Sequence, residues 1–469
     1  MFRRGGVLLV LIALVLGSLP LADVRAQSEG PVVVVGPESA REPIEAWVEA
    51  YGAVNGAVSF EVQFEPSEEA VLNRAAEADV LFYSDYEQDP PIEFECGVIS
   101  EPYVALPELG ARWLSSVDCG DTVSSKTPIM RGFLQFVVGP DGQQVAIELG
   151  LLPDSVEVVD QAGVTVTVPQ PVRRIISAYS MATYYAYTLG AGDQLAAATY
   201  LGMGGSARQD IMRRVDPDFD RVFTAISDMS QDSLNLEEAA ALQPDLILTS
   251  ARTTWLETAG ELGLPIIRFE GESPERLQAA MELLGAVLGP NAAYRAAQFN
   301  AYYDHVLEQV LSQTEAIADP ARVYFSGTDP LRTASGEMYQ ASMIEAAGGE
   351  LVSADLPGYW NDVNLEQVLT WEPEVIFVVT YGGASVEAIT ESEEWAVVEA
   401  VQAGRVYQLP HFISPWDTPV PDSILGIIWM AETLYPDQVT LDCASQVRGF
   451  YARFYDYRMS EEEAQSLCE

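Results

Sequence analysis

Aromatic, hydroxyl and arginine side chains follow three apolar runs in the middle of this chain. Tyr179 and Ser180 come after RIISA, Tyr200 comes after LAAAT, and Arg252 comes after LILTSA. Aromatic faces bury flat or apolar ligand surface, and a guanidinium binds carboxylates, phosphates and other oxyanions through paired hydrogen bonds. These residue types therefore indicate a site that binds a small molecule.

A second set of such residues lies in loops after later apolar runs. Trp360 and Arg332 are its leading candidates, although Arg332 could instead pair only with Asp329, and any single tyrosine could be ordinary core. His411 is more often a surface residue than a metal ligand, so we do not count it in the set. The other members are Tyr359, Tyr381, Trp416 and Asp417.

The sequence carries no cluster with the spacing of a catalytic site. It has no cysteine cluster, nucleophile elbow, phosphate-binding loop or paired acids of that kind. Neither the four cysteines nor His305 and His411 have the spacing of a structural zinc site. We therefore expect a binding protein rather than an enzyme, with no cofactor and no metal held directly by histidine or cysteine.

Strands and helices alternate over the last two thirds of the chain. The strand-like runs are RIISAY, LAAATY, PDLILTS and LPIIRFE, then, after a long helical stretch, ARVYFSG, PEVIFVVTY and GRVYQLP. This pattern is typical of mostly parallel, doubly wound α/β sheets. We predict lobe 1 at about residues 174–277, a long linking helix at about 278–318 and lobe 2 at about 321–469.

The predicted sheets also position the candidate residues. Loops at the carboxyl ends of parallel strands share one edge of a sheet, and open α/β proteins bind their ligands there. All the candidates follow strands, so we expect them to meet in a groove between the two lobes.

Residues 31–153 are predicted to form a separate, smaller α/β domain. PVVVVG and ADVLFYSD are typical of buried strands, and SAREPIEAWVEAYGAV has the spacing of an amphipathic helix. The closing stretch FLQFVVGPDGQQVAIELGLLP resembles the end of the type II periplasmic binding proteins, but the segment suffices for only one of their two lobes, so we interpret it as a truncated domain of that type. The connector VEVVDQAGVTVTVPQPVRR predicts a β-hairpin at the start of the second domain, residues 156–469.

One sequence unit occurs twice, as NLEEAAALQPDLIL at residues 235–248 and as NLEQVLTWEPEVIF at residues 364–377. Each copy opens with an asparagine that can cap a helix, followed three residues later by Glu238 or Gln367, as in a capping box. A proline then ends the helix before an apolar run. Each copy therefore predicts a helix that leads into a buried central strand, once in each lobe.

The chain from about Val158 onward resembles the class III substrate-binding proteins of ABC importers. The resemblance rests on the order and spacing of VVDQAGVTVTVPQPVRRIIS, the two repeat copies, MIEAAGGE and GRVYQLP. It implies a receptor that binds a metal chelate, namely a ferric siderophore, haem or cobalamin, between its lobes and delivers it to a permease dimer. Molybdate or tungstate is the alternative ligand, so the ligand itself can contain iron, cobalt or molybdenum. A non-transport extracellular sensor is the alternative role.

The resemblance also assigns roles to particular residues. In that family a glutamate on each lobe docks into arginine-lined pockets of the permease, and the matching positions here are Glu237 and Glu366. A carboxylate in a first helical turn is also favoured by the helix dipole, but the shared offset in both lobes favours docking. Tyr200 and Trp360 match aromatic walls of the family's cleft, and the loops of Arg332 and Trp416 match cleft loops.

The chain begins with an apparent export signal. Two arginines precede a short apolar run in MFRRGGVLLVLIALVLGSLPLADVRA, so we predict a signal peptide at residues 1–26, with an uncleaved anchor as the alternative. The product is then an exported monomer, periplasmic or extracellular and associated with the cell envelope. In that oxidising compartment the local disulfides are favoured, Cys96 with Cys119 and Cys443 with Cys468.

The net charge of −46 arises from 70 acidic and only 24 basic residues. Such a charge repels nucleic acids and anionic lipids, so a nucleic-acid partner is excluded. An anionic ligand would need arginines placed locally against this field.

Overall fold

The structure is a computed structural model, which describes residues 30–84, 97–99, 102–116, 126–199, 206–227, 229, 233–253 and 263–469. The predicted signal peptide, Tyr200, Cys96 and Cys119 lie outside these residues. None of the described helices is long and apolar enough to cross a membrane.

The N-terminal domain is an α/β unit around one mixed sheet, with strand order β2-β1-β3-β6-β4 and β5 paired to β6. The first three strands are parallel, and β6 runs antiparallel to its neighbours. Its strands are β1 (Val32–Pro37), β2 (Phe60–Glu65), β3 (Val80–Tyr83), β4 (Gly97–Ile99), β5 (Tyr103–Leu106) and β6 (Leu109–Ser116), and its helices are α1 (Arg41–Val54), α2 (Glu68–Leu72), α3 (Thr127–Val138) and α4 (Pro140–Glu148).

An antiparallel hairpin of β7 (Ser155–Val159) and β8 (Thr165–Pro169) leads into lobe 1, where the sequence predicted it. Lobe 1 contains a fully parallel sheet of order β10-β9-β11-β12. Its strands are β9 (Ile175–Ser177), β10 (Leu195–Ala198), β11 (Leu246–Ser250) and β12 (Ile266–Phe269), and its helices are α5 (Ser180–Thr188), α6 (Ser206–Val215), α7 (Phe219–Phe223) and α8 (Leu236–Ala241).

Two helices that pack against each other follow lobe 1, α9 (Pro274–Leu288) and α10 (Pro290–Thr314). Gly289 separates them with φ 106°, a conformation that residues with a Cβ rarely adopt, and Pro290 then starts the next helix. The structure therefore divides the predicted helical stretch, and α10 alone runs from lobe 1 to lobe 2.

Lobe 2 has a mixed sheet of order β16-β14-β13-β17-β18, with β15 also paired to β13. Its core is continuous with that of lobe 1 through α10, which buries Phe299 and Tyr303. Its strands are β13 (Ala321–Ser326), β14 (Arg332–Ala334), β15 (Gly349–Leu351), β16 (Trp360–Asp362), β17 (Val375–Val378) and β18 (Val406–Gln408). Its helices are α11 (Tyr339–Ala346), α12 (Leu365–Trp371), α13 (Val386–Thr390), α14 (Glu399–Gln402), α15 (Ser423–Leu434), α16 (Cys443–Phe454) and α17 (Glu461–Cys468).

The two copies of the repeat adopt the predicted helix and strand. Asn364 and Gln367 form the full capping box at the start of α12. In the other copy the Asn235 side chain accepts the N–H of Glu238, but the Glu238 carboxylate binds Ser227 instead of closing the box. The structure confirms the predicted fold of two α/β lobes and a long helix, with a smaller N-terminal α/β domain.

The C-terminal disulfide is present, because Cys443 at the start of α16 is bonded to Cys468 at the end of α17. This confirms the local pairing that the sequence favoured for these two residues. The predicted Cys96–Cys119 bond falls outside the described residues.

Candidate functional site

A cavity of about 310 Å³ lies between the two lobes, at the edge where the sequence placed the site. Lobe 1 lines it from the ends of β9, β11 and β12, and lobe 2 lines it from loops and from the start of α11. The lobe 1 residues are Tyr179, Met181, Arg252 and Glu272. The lobe 2 residues are Met338, Gln340, Tyr359, Trp360, Tyr381, Thr418 and Pro419.

Arg252 connects the two lobes at this cavity. Its Nη2 donates to Oε1 of Glu272 at 2.8 Å, within lobe 1. Its guanidinium also lies 4.5 Å from the centroid of the Tyr359 ring of lobe 2, a cation–π contact. Burial raises the pKa of the Glu272 carboxyl, although the neighbouring guanidinium opposes this shift. The only arginine lining the cavity is therefore already paired with an acid, within the described residues.

Tyrosine hydroxyls at the cavity are held in fixed positions. Tyr179 is buried, and its hydroxyl lies 2.9 Å from the sulfur of Met181. Tyr381 donates to Oδ2 of Asp417 at 2.8 Å. Burial raises the pKa of both phenols, so both stay protonated at neutral pH.

Gln340 places an amide at the cavity from the first turn of α11. The side chain is 3% exposed, and its Nε2 donates to the backbone carbonyl of Asp417 at 2.8 Å. Its Oε1 accepts no hydrogen bond within the part of the chain that the structure describes. Gln340 therefore holds a buried acceptor beside the cavity that no described group of the protein satisfies.

Trp360 forms an aromatic wall because a glycine, Gly327, directly follows β13 beneath it. A Cβ at Gly327 would lie 2.5 Å from a Trp360 ring carbon, so only glycine allows this packing. The ring also packs 6.3 Å from that of Phe325, between centroids. One face of the indole is thereby supported, and the residue still lines the cavity.

Five of the predicted ligand-binding residues, Tyr179, Arg252, Tyr359, Trp360 and Tyr381, line the same cavity. Asp417 lies just behind it, where its carboxylate holds Tyr381. Ser180 is the first residue of α5, half-buried and outside the lining set.

Trp416, which the sequence placed among the cleft residues, does not line this cavity. Its side chain is fully buried in the core, and its Nε1 donates to the Tyr451 hydroxyl at 2.9 Å. The loop lies against α15, where a Cβ at Gly426 would be 2.4 Å from the Trp416 carbonyl oxygen. This close packing turns the indole inward, and Thr418 and Pro419 reach the cavity instead.

Arg332 also does not line the cavity. It lies on β14 opposite Asp362 of β16, and its Nη1 is 3.5 Å from that carboxylate. Its neighbour Thr333 is buried, and successive side chains of a strand point to opposite faces. The inward orientation of Thr333 therefore turns Arg332 outward, and its partner is Asp362 rather than Asp329.

Sequence reasoning missed Glu272 and Gln340. Glu272 could have been found, since it follows the strand run LPIIRF just as Arg252 follows LILTS. Gln340 gave no such signal because it lies inside a helix. In addition, the described residues contain no group of three or more histidine, cysteine or acidic side chains that could hold a metal ion.

The two repeat glutamates lie at equivalent places on the lobes. Glu237 and Glu366 are exposed residues in the first turns of α8 and α12. Both helices are followed by a residue with φ 49°, Gln243 or Glu372, immediately before proline. The two carboxylates thus occupy the same position within equivalent helices.

Comparisons with known proteins agree with this architecture. Residues 213–411 match the family model described as periplasmic binding protein. The vitamin B12-binding protein of Yersinia pestis (strain Pestoides F) is 30% identical over 219 residues, which span 45% of this chain and 70% of that protein. The molybdate-binding protein MolA of Haemophilus influenzae is 25% identical over 256 residues, or 48% of this chain and 70% of that protein.

Solved structures share the fold. A periplasmic solute binding protein from Veillonella parvula, 22% identical, superposes with a TM-score of 0.58 over 67% of this chain and 96% of its own. Molybdate-bound MolA of H. influenzae, 21% identical, superposes with a TM-score of 0.58 over 65% of this chain and 99% of its own. These relatives are solute-binding proteins and not enzymes. The chain belongs to the class III periplasmic binding proteins, the solute-binding components of ABC transporters.

Proposed function

We propose that this protein is an exported receptor that binds a metal chelate between its two lobes and delivers it to the permease dimer of an ABC importer. The observation that carries the proposal is the cavity of about 310 Å³ with an aromatic wall from each lobe. Such faces suit a flat or apolar ligand larger than a bare ion.

The residue types of the site favour a ligand in which the metal is already bound by an organic chelator. Its lining residues are aromatic, amide, thioether and hydroxyl groups with one arginine–glutamate pair. These groups recognise the organic shell of a chelate and do not replace its metal ligands. A relative that is named as a vitamin B12-binding protein is consistent with this ligand class.

Glu237 and Glu366 support the delivery step. Both are exposed, and they occur at the same turn of equivalent helices on the two lobes. A permease dimer with two-fold symmetry offers two equivalent pockets, which a pair of equivalent carboxylates would match. The proposed complex therefore has one receptor monomer on one permease dimer.

Ligand titration tests the receptor role. Purified protein is titrated with a ferric trihydroxamate, a ferric tricatecholate, haem and cyanocobalamin, with binding followed by calorimetry. We expect one of these chelates to bind with a dissociation constant in the micromolar range or below. Absence of binding by all four up to high micromolar concentration would reject a metal chelate as the ligand.

A free oxyanion is the second candidate, because MolA is both a sequence relative and a structural relative. The same titration with molybdate and tungstate distinguishes it from a chelate.

A further inference from the structure

Glu272 holds a position at the cleft that would otherwise suit an anion. Its carboxylate accepts a 2.8 Å hydrogen bond from Arg252, and the backbone N–H of Tyr339, across the cleft in lobe 2, acts to lower the pKa of the same carboxyl. Tyr339 is the first residue of α11, whose N-terminus has no side-chain cap of its own. A guanidinium and the free N–H groups of a helix start are the two groups that most often bind anions together.

The chain thus fills this anion position with one of its own side chains. The Glu272 side chain is 11% exposed, against 34% for Arg252. An anionic ligand group entering here would face the buried carboxylate and find the guanidinium already paired. Both effects oppose binding of a negative charge at this end of the cavity.

Gln340 favours a ligand that can donate a hydrogen bond, independently of Glu272. It lies one residue after Tyr339 and lines the cavity, and its buried Oε1 accepts no hydrogen bond within the described residues. A buried acceptor is satisfied by a ligand N–H or O–H and is left unsatisfied by an oxyanion, which offers only acceptors at neutral pH.

We propose that Glu272 is a specificity-determining residue, which excludes oxyanions and selects a ligand that is uncharged where it meets Arg252 and donates a hydrogen bond to Gln340. This inference rests on the proposed receptor function. It distinguishes the cleft from one built for molybdate, and it predicts that a neutral metal complex binds better than an anionic complex of the same metal.

Charge-matched variants test the proposal. Glu272→Gln removes the negative charge but keeps the shape of the side chain. Glu270→Gln is the control, because it removes one negative charge two residues away, from a side chain that pairs with Arg276. Calorimetric titrations use sodium molybdate, a neutral ferric trihydroxamate and a trianionic ferric tricatecholate. Thermal unfolding verifies that each variant is folded.

We expect no molybdate binding by the wild type or by Glu270→Gln, and micromolar binding by Glu272→Gln. The double variant Glu272→Gln/Arg252→Gln should lose that gain, since the freed guanidinium would be the anion ligand. Molybdate binding by the wild type would overturn the proposal, as would its absence in folded Glu272→Gln.

The ratio of the affinities for the neutral trihydroxamate and the trianionic tricatecholate is a second measurement of the same effect. For the wild type we expect the neutral complex to bind at least about tenfold more tightly than the trianion, and Glu272→Gln should reduce this ratio. A preference of the wild type for the trianion would overturn the proposal. If no chelate binds, the chelate function fails while the molybdate comparison still decides the role of Glu272.

Discussion

At the level of single residues, the cleft depends on a few side chains held by close contacts. Trp360 is supported by Gly327, and Tyr381 is fixed by the buried Asp417. Rings and hydroxyls that are already oriented lose little conformational entropy when a ligand binds. Substitutions at these positions distinguish the groups that contact the ligand from those that only stabilise the fold.

Trp360→Ala should weaken chelate binding by about 10- to 100-fold, because it removes an aromatic face worth about 1.5–3 kcal/mol when buried. Gly327→Ala should act in the same direction while keeping the indole, since the added methyl displaces the ring. Tyr359→Phe serves as the control, because it retains the ring beside Arg252. Calorimetry measures the affinity of all three variants for the chelate. Unchanged affinity in Trp360→Ala would show that this residue does not contact the ligand.

Asp422 should make stability depend on pH. Burial raises the pKa of its carboxyl from 3.8 to about 6, although Tyr451 and Tyr455 donate hydrogen bonds that lower it. Between these two values the folded protein holds a proton that the unfolded chain releases. The contribution of Asp422 to stability is therefore highest at low pH and falls by roughly 3 kcal/mol as pH rises through about 6.

Asp422→Asn removes this titration. The difference in unfolding free energy between pH 4 and pH 7, measured by urea denaturation, should change by about that amount relative to the wild type. Asp437 is exposed, and Asp437→Asn is the control for removing one negative charge from this acidic protein. It should leave the difference between the two unfolding free energies unchanged. Equal pH profiles for Asp422→Asn and the wild type would contradict the prediction.

At the level of elements, the C-terminal helices brace both lobes. Helix α17 packs on α16, and its Glu463 carboxylate lies 3.1 Å from Arg214 of α6 in lobe 1. The Tyr455 hydroxyl, next to α16, accepts a hydrogen bond from Thr188 of α5 at 3.3 Å. These contacts connect a chain end to the opposite lobe.

Removing the Cys443–Cys468 bond should lower the free energy of unfolding by about 3 kcal/mol, since the bond closes a loop with a sequence separation of 25. The variant Cys443→Ser/Cys468→Ser is preferable to a reductant, which would also act on the predicted Cys96–Cys119 bond. Glu463→Gln is the matched control and should cost less than about 1 kcal/mol, because its ion pair is partly exposed. Unchanged denaturant midpoints in the double serine variant would contradict the expectation.

At the level of the whole molecule, the lobes are in contact at the floor of the cleft. The Tyr185 hydroxyl of lobe 1 donates to the Pro419 carbonyl of lobe 2 at 3.1 Å, and a Cβ at Gly271 would lie 2.6 Å from that hydroxyl. A single helix connects the lobes, and the core continues through it from one to the other. Such a link resists wide hinge motion, so we expect ligand entry to involve small shifts of the lobes.

The proposed permease docking also concerns the whole molecule, because it would require both lobes at once. Glu237→Ala/Glu366→Ala should reduce chelate uptake at least about tenfold in cells that carry the cognate importer, while calorimetric ligand affinity stays unchanged. The control Glu49→Ala/Glu315→Ala removes two other exposed glutamates and should leave uptake intact. Normal uptake by the first double variant would argue against docking through these residues.

The sequence by itself determined the features that depend on neighbours along the chain. The asparagine caps, the proline after each repeat helix and the apolar strand runs act within a few residues, so they predicted the α/β lobes and the loops that carry Tyr179, Arg252, Tyr359, Trp360 and Tyr381. Only the tertiary structure decided which way the loop side chains turn. Trp416 points into the core because α15 packs on its loop, and Arg332 points outward because Thr333 is buried. Glu272 pairs with Arg252, which also contacts Tyr359 of the other lobe. Such contacts depend on packing between segments far apart in sequence, which local patterns do not encode.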